Sequence, residues 1–167
     1  VAGIISALDN GHGITGFAPQ TDLLTSVDRP TTLLALLDGM GDFEHKNELP
    51  VSTIFVVESQ HAGILSDGSC IGLTEADQYG CVPIETDPEQ FAAIEYVTAA
   101  GVLVIEGAGN GSVDLGSAAT YWPYEIDLST NDSGAILVGG SQGSNHQKIS
   151  FSNFGSPVDA YAWAQGV

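Results

Sequence analysis

The sequence predicts an α/β fold, a three-layer sandwich built on a mostly parallel sheet, and three observations carry that prediction. Residues 53–57, 102–105 and 135–138 are apolar, largely β-branched runs without polar interruption, as expected of strands inside a parallel sheet. A helix with clear start and stop signals lies between the first two runs, at 87–100. Glycine-rich turns follow each run, so strand, helix and strand alternate as in right-handed βαβ units.

The elements follow in chain order. Residues 1–8 read as the end of a buried helix, stopped by Asp9-Asn10-Gly11 and the further glycines Gly13 and Gly16. A turn-rich piece closes at Ala18-Pro19, residues 22–27 have strand length, and Pro30 precedes an amphipathic helical stretch at 32–40. The strand at 53–57 is expected to be buried on both faces. From Glu58 to Thr86 the chain turns polar and glycine-rich, which predicts an inserted surface loop. Asp87-Pro88-Glu89-Gln90 combines an N-cap acid, a first-turn proline and a glutamine three residues on, a capping-box start. That helix presents Phe91, Ile94 and Val97 or Thr98 to the core and stops at Gly101. The strands at 102–105 and 135–138 complete the pattern, and the length suits one domain over 1–167.

Composition narrows the function. With 43% hydrophobic and 14% charged residues the chain is a folded protein rather than a disordered one. Its 21 acidic residues against Arg29, Lys46 and Lys148 give a formal charge of −18, which excludes phosphate-backbone binding and electrostatic docking on anionic lipid. The acidity reads as a solvated, self-repelling surface. Cys70 and Cys81 bracket a loop that a local disulfide would close, worth about 3 kcal/mol; neither has zinc-ligand spacing. The pair favours an oxidising compartment. No apolar run reaches the roughly 20 residues of a membrane-spanning helix. The N-terminus has no signal-peptide pattern, so the chain is expected to begin inside a domain.

Ligands of doubly wound sheets bind beyond the carboxyl ends of the strands, so the residues following each strand are the candidates. After the first come Glu58, Ser59 and Gln60; after the second, Glu106-Gly107-Ala108-Gly109-Asn110-Gly111; after the third, Gly139-Gly140-Ser141-Gln142-Gly143. Gly139-x-Ser141-x-Gly143 has the spelling of a nucleophile elbow and so a hydrolase reading using Ser141, but the polar segment after it lacks the apolar helix an elbow needs. Asn110 can donate a hydrogen bond to a developing oxyanion without titrating, and its flanking glycines admit a substrate backbone. His12, His45, His61 and His146 lie in turn or loop contexts and read as surface residues.

The order of these motifs resembles the subtilisin-like serine peptidases. Val1-Ala2-Gly3-Ile4-Ile5 looks like the helix after that family's catalytic histidine, and 7–19 is similar to its stretch ending in Gly-Val-Ala-Pro. Residues 99–110 resemble its helix, strand and oxyanion-hole asparagine, 135–139 a following strand, Ser150-Phe151-Ser152-Asn153-Phe154-Gly155 its Ser-x-Phe-Ser-Asn-x-Gly turn, and 158–162 the strand before its serine motif. The resemblance implies a subtilisin-like fold truncated at both ends and a serine endopeptidase acting on proteins through a Ser-His-Asp triad. The catalytic Asp and His would lie upstream and the Ser downstream, leaving this piece inactive alone. It implies Asn110 as oxyanion donor, and Glu58, Ser59, Gln60, Ala108 and Gly109 as the substrate-binding edge and pocket. It also implies a structural Ca²⁺ held by the carbonyls of Leu8, His12 and Ile14 and the side chain of Asn10, and secretion. The sequence departs from the family at Glu58-Ser59-Gln60, where relatives carry Ser-x-Gly. A non-catalytic relative serving as a binding or structural module is the alternative reading.

Overall fold

The computed structural model describes residues 2–21, 54–63, 78–117, 126–143 and 145–165. The segments expected at 22–27 and 32–40, together with His45 and Cys70, lie outside the described residues. The chain divides into two compact units, Val1–Pro30 and Thr31–Val167.

In the first unit the helix α1 (Ala2–Ser6) is followed by turns that fold back on its end. Gly16 donates to Ala7 O (2.9 Å), Phe17 to Ile4 O (2.9 Å) and Ala18 to Ile5 O (2.7 Å). These bonds satisfy carbonyls that a helix end leaves without intrahelical partners. Ile4 in the helix and Leu8 just beyond it are half or more exposed, in contrast to the buried helix end that their apolar side chains predict.

The second unit is built on a mixed, mostly parallel sheet. Strands β1 (Ile54–Val57), β4 (Leu103–Gly107) and β5 (Ile136–Gln142) pair in parallel, with Val57 opposite Glu106 and Gly107 opposite Val138. Strand β7 (Ala160–Gln165) pairs in parallel with β5, and the short β6 (Gln147–Lys148) pairs antiparallel with it at Ser141 and Gln142. A separate antiparallel pair joins β2 (Gln60–His61) to β3 (Val82–Pro83). The α/β class read from the sequence stands.

Helix α2 (Pro88–Ala99) starts where the cap signals place it. Asp87 Oδ1 accepts from the amides of Glu89 (3.0 Å) and Gln90 (3.1 Å), which satisfies two donors that the first turn leaves open. The reciprocal half of a capping box is absent: the Asp87 amide donates to Ile84 O at 3.0 Å, and Gln90 Oε1 is buried without a partner. Gly101, at φ +88°, ends the element in the left-handed conformation that favours glycine.

Ala93, Ile94 and Val97 of α2 pack with Val57, Ile84, Val102 and Val104 on one face of the sheet. A second cluster of Val82, Ala108, Val113, Leu115, Leu128 and Leu137 continues the core toward the strands' carboxyl ends, with Phe91 against it. The opposite face differs from the expectation of strands covered on both sides. Ile54, Val56, Leu103 and Ile136 are 36–53% exposed there. Alternation along β1 and β4 therefore follows a half-buried sheet. The segment at 58–86 is also more than a surface loop, since residues 81–86, running from β3 through the 3₁₀ turn Ile84–Thr86, are all buried.

Candidate functional site

Parallel pairing brings the carboxyl ends of β1 and β4 side by side, and the chain beyond each end forms one edge. Glu58 and Ser59 are exposed there, while Gln60 is half-buried and opens β2. After β4, residues 108–113 run as a loop held from several sides. The Ala108 amide donates to Val138 O (2.8 Å), the Ser112 amide to Phe151 O (2.8 Å), and Gly80 donates to Gly111 O (2.8 Å). Ala108 is buried.

Asn153, fully buried, organises this loop. Its Nδ2 donates to Ala108 O (2.6 Å) and Cys81 O (2.8 Å), its Oδ1 accepts from the Val113 amide (3.0 Å), and its own amide donates to Gly109 O (3.0 Å). Every strong group on the carboxamide is matched, which is what a buried amide requires. Gly109 sits at φ +86°, and a Cβ there would stand 2.9 Å from Asn153 Nδ2. Both the backbone conformation and the close side chain demand glycine. The sequence singles out the Ser150–Gly155 turn as a motif but gives no sign that Asn153 reaches back to the loop at 108–113.

The two edges meet through three carboxamides. The Asn110 amide donates to Gln60 Oε1 (2.8 Å), Asn110 Nδ2 donates to Gln78 Oε1 (2.7 Å), and Gln60 Nε2 donates to the same oxygen (2.8 Å). Asn110 and Gln60, read independently from two strand ends, are thus direct neighbours on one side of a parallel sheet. Their partner Gln78 carried no motif. Chemically, the group is a set of neutral donors converging on one amide oxygen. Cys81, just beyond it, is disulfide-bonded, and its amide donates to Gln78 O (2.9 Å).

Near this edge lie two buried acids, Glu106, which the sequence places just after the second strand run, and Glu85, which carries no motif. Glu106 is fully buried; its Oε1 accepts from the Glu85 amide at 3.5 Å and its Oε2 has no partner. Burial, and then the neighbouring Glu85 charge, push the Glu106 carboxyl well above the usual carboxylate range. Glu85 is raised as well, chiefly by burial, against the lowering effect of the Ser133 hydroxyl that donates to its Oε2.

The remaining candidates are dispersed. Ser141 is buried inside β5, 2% exposed, with its hydroxyl donating to Ala162 O (3.1 Å). A nucleophile elbow holds its serine exposed on a tight turn between strand and helix, so the Ser141 hydrolase reading is withdrawn. His12 and His146 are exposed, and His61 is half-buried with Nδ1 at 3.1 Å from Ala62 O. In the first unit Leu8 O accepts from the Asn10 amide and Asn10 Oδ1 from the His12 amide, both at 3.0 Å. With His12 and Ile14 carbonyls these make four neutral oxygens, fewer than the six to eight that Ca²⁺ takes. Among the described residues no group of three or more His, Cys, Asp or Glu is placed to hold a metal, and no helix is long and apolar enough to cross a membrane.

Against known proteins, no family model matches the chain. Among curated proteins it is similar to alkaline elastase YaB from Bacillus sp. (strain YaB), 27% identical over 168 residues. The match covers 100% of this chain and 35% of that protein, so the chain spans about a third of the relative's length. This is a distant similarity, along the whole of this chain, to part of an elastase.

Proposed function

We propose that this chain is the central part of a subtilisin-like serine endopeptidase domain, secreted and acting on protein substrates, with Asn110 as the side-chain donor of its oxyanion hole. The observation that carries the reading is the meeting of Asn110 with Gln60 where parallel β1 and β4 give out. The distant similarity to an elastase adds support. In this reading a serine from a flanking segment attacks the peptide carbonyl, a histidine accepts its proton, and charge builds on the carbonyl oxygen. Asn110 Nδ2 donates to that oxygen as the charge develops, which lowers the barrier because the loop already holds the amide in place. Glu58, Ser59 and Gln60 flank the extended substrate, with Ala108 and Gly109 opposite them. The carbonyls of Leu8, His12 and Ile14 and the Asn10 side chain contribute part of a structural Ca²⁺ site.

Two experiments test this. A full-length protein bearing this chain should be labelled covalently by a peptidyl phosphonate, and absence of labelling on folded protein rejects the peptidase reading in favour of a non-catalytic module. In an active protein, Asn110→Ala should lower kcat by about 10²–10³ with little change in KM, because the lost bond matters mainly in the transition state.

A further inference from the structure

Gln78 supplies an acceptor to the proposed oxyanion donor. Its Oε1 receives two side-chain N–H bonds, 2.7 Å from Asn110 Nδ2 and 2.8 Å from Gln60 Nε2. The orientation of the Gln60 carboxamide follows from its bonds, since its oxygen accepts from the Asn110 amide at 2.8 Å and its nitrogen must then face Gln78. A glutamine side-chain oxygen is an amide carbonyl oxygen, the same acceptor that a peptide substrate presents. The backbone below it is fastened: Gly80 donates to Gly111 O, Cys81 to Gln78 O, and Cys81 is disulfide-bonded. The Gln78 side chain reaches Asn110 and Gln60 from that backbone through its own rotatable bonds.

We infer that Asn110 Nδ2 and Gln60 Nε2 form a two-donor cradle for a peptide carbonyl oxygen, and that Gln78 Oε1 is an internal stand-in which the substrate carbonyl displaces. The inference rests on the peptidase reading for the identity of its ligand and deepens it in two ways. Gln60 becomes a second side-chain donor rather than merely an edge residue. Gln78 becomes a competitor that sets how strongly a peptide binds. All three groups are neutral amides, so the cradle offers N–H donors that carry no charge of their own.

The test follows the Asn110 side-chain amide by ¹⁵N NMR in the full chain while N-acetyl-dialanine amide is added, and so needs no catalysis. Gln78→Leu removes the stand-in oxygen at similar volume; the peptide amide should then perturb the Asn110 side-chain resonance at a concentration about tenfold lower than in the unaltered chain, because two modest hydrogen bonds to that oxygen no longer have to be broken. Gln78→Glu keeps an acceptor and strengthens it with charge, so more peptide should be needed, and this variant decides the matter if Gln78→Leu does not fold. Gln60→Leu in the Gln78→Leu background should raise the required concentration again. Equal peptide concentrations for all the chains, or a response at Asn110 that ignores Gln78, overturns the inference. Failure of phosphonate labelling with a positive NMR result rejects only the peptidase reading.

Discussion

Asn153 shows how a single buried carboxamide can hold a loop whose own sequence is mostly glycine. It joins Cys81 to Ala108, Gly109 and Val113 of the loop after β4, two segments far apart along the chain. Asn153→Ala takes away the side-chain bonds to two carbonyls and one amide, and each such loss carries a desolvation penalty. The expected destabilisation is about 3–5 kcal/mol, read from denaturant midpoints. Gly109→Ala should cost about 1–3 kcal/mol through its left-handed backbone alone, and more if Asn153 cannot yield. Glu106 acts through its proton. Its folded-state carboxyl titrates well above the ordinary value of 4.5, so the stability it contributes is complete below that value and is lost as pH rises through its raised folded pKa. Glu85 acts in the same direction, with Asp132 and Asp159 adding to its upward shift. Melting temperatures should therefore fall as pH rises above 4.5, and Glu106→Gln should flatten that slope; a slope unchanged in the variant rejects the assignment.

At the scale of elements, α2 depends on both its ends and one face. Asp87 caps the start with two side-chain bonds, Gly101 stops the end, and Ala93, Ile94 and Val97 are buried against β4. Asp87→Ala should destabilise by about 1 kcal/mol, measured by the same denaturant midpoints. The missing return bond from Gln90 means that Gln90→Ala removes no capping interaction, in contrast to a complete capping box. The stretch from Cys81 to Thr86 is the unexpected element. It passes wholly buried beneath the loop at 108–111 and carries Glu85 to Glu106, so one short segment couples the acid pair to the candidate site.

Across the whole molecule, 21 acidic residues meet three basic ones. Lys148 spends its ammonium locally, donating to the carbonyls of Ile149 (3.0 Å), Ser150 (3.1 Å) and Ser152 (3.0 Å) and lying 5.2 Å from the centre of the Phe154 ring. The uncompensated negative charge repels itself in the folded state more than in an expanded one. Salt screens that repulsion, with a Debye length falling from about 10 Å at 0.1 M to about 3 Å at 1 M. The melting temperature should therefore rise as NaCl is raised from 0.1 to ~1 M, and a flat or falling trend refutes self-repulsion as a destabilising term.

The amino-acid sequence by itself determined the α/β class, the positions of β1, β4 and β5, the start and stop of α2, and the neighbourhood of Asn110 and Gln60 at one sheet edge. These are legible because strand runs, caps and strand-end positions are local patterns, and parallel pairing then puts the strand ends together. Only the tertiary structure decided that Asn153 ties down the loop, that Gln78 faces Asn110, that Glu106 lies buried beside Glu85, that Ser141 is sealed inside β5, and that Ile54, Val56 and Leu103 are exposed. Those outcomes depend on contacts between residues tens of positions apart, and on which apolar faces find cover, neither of which leaves a periodic trace along the chain.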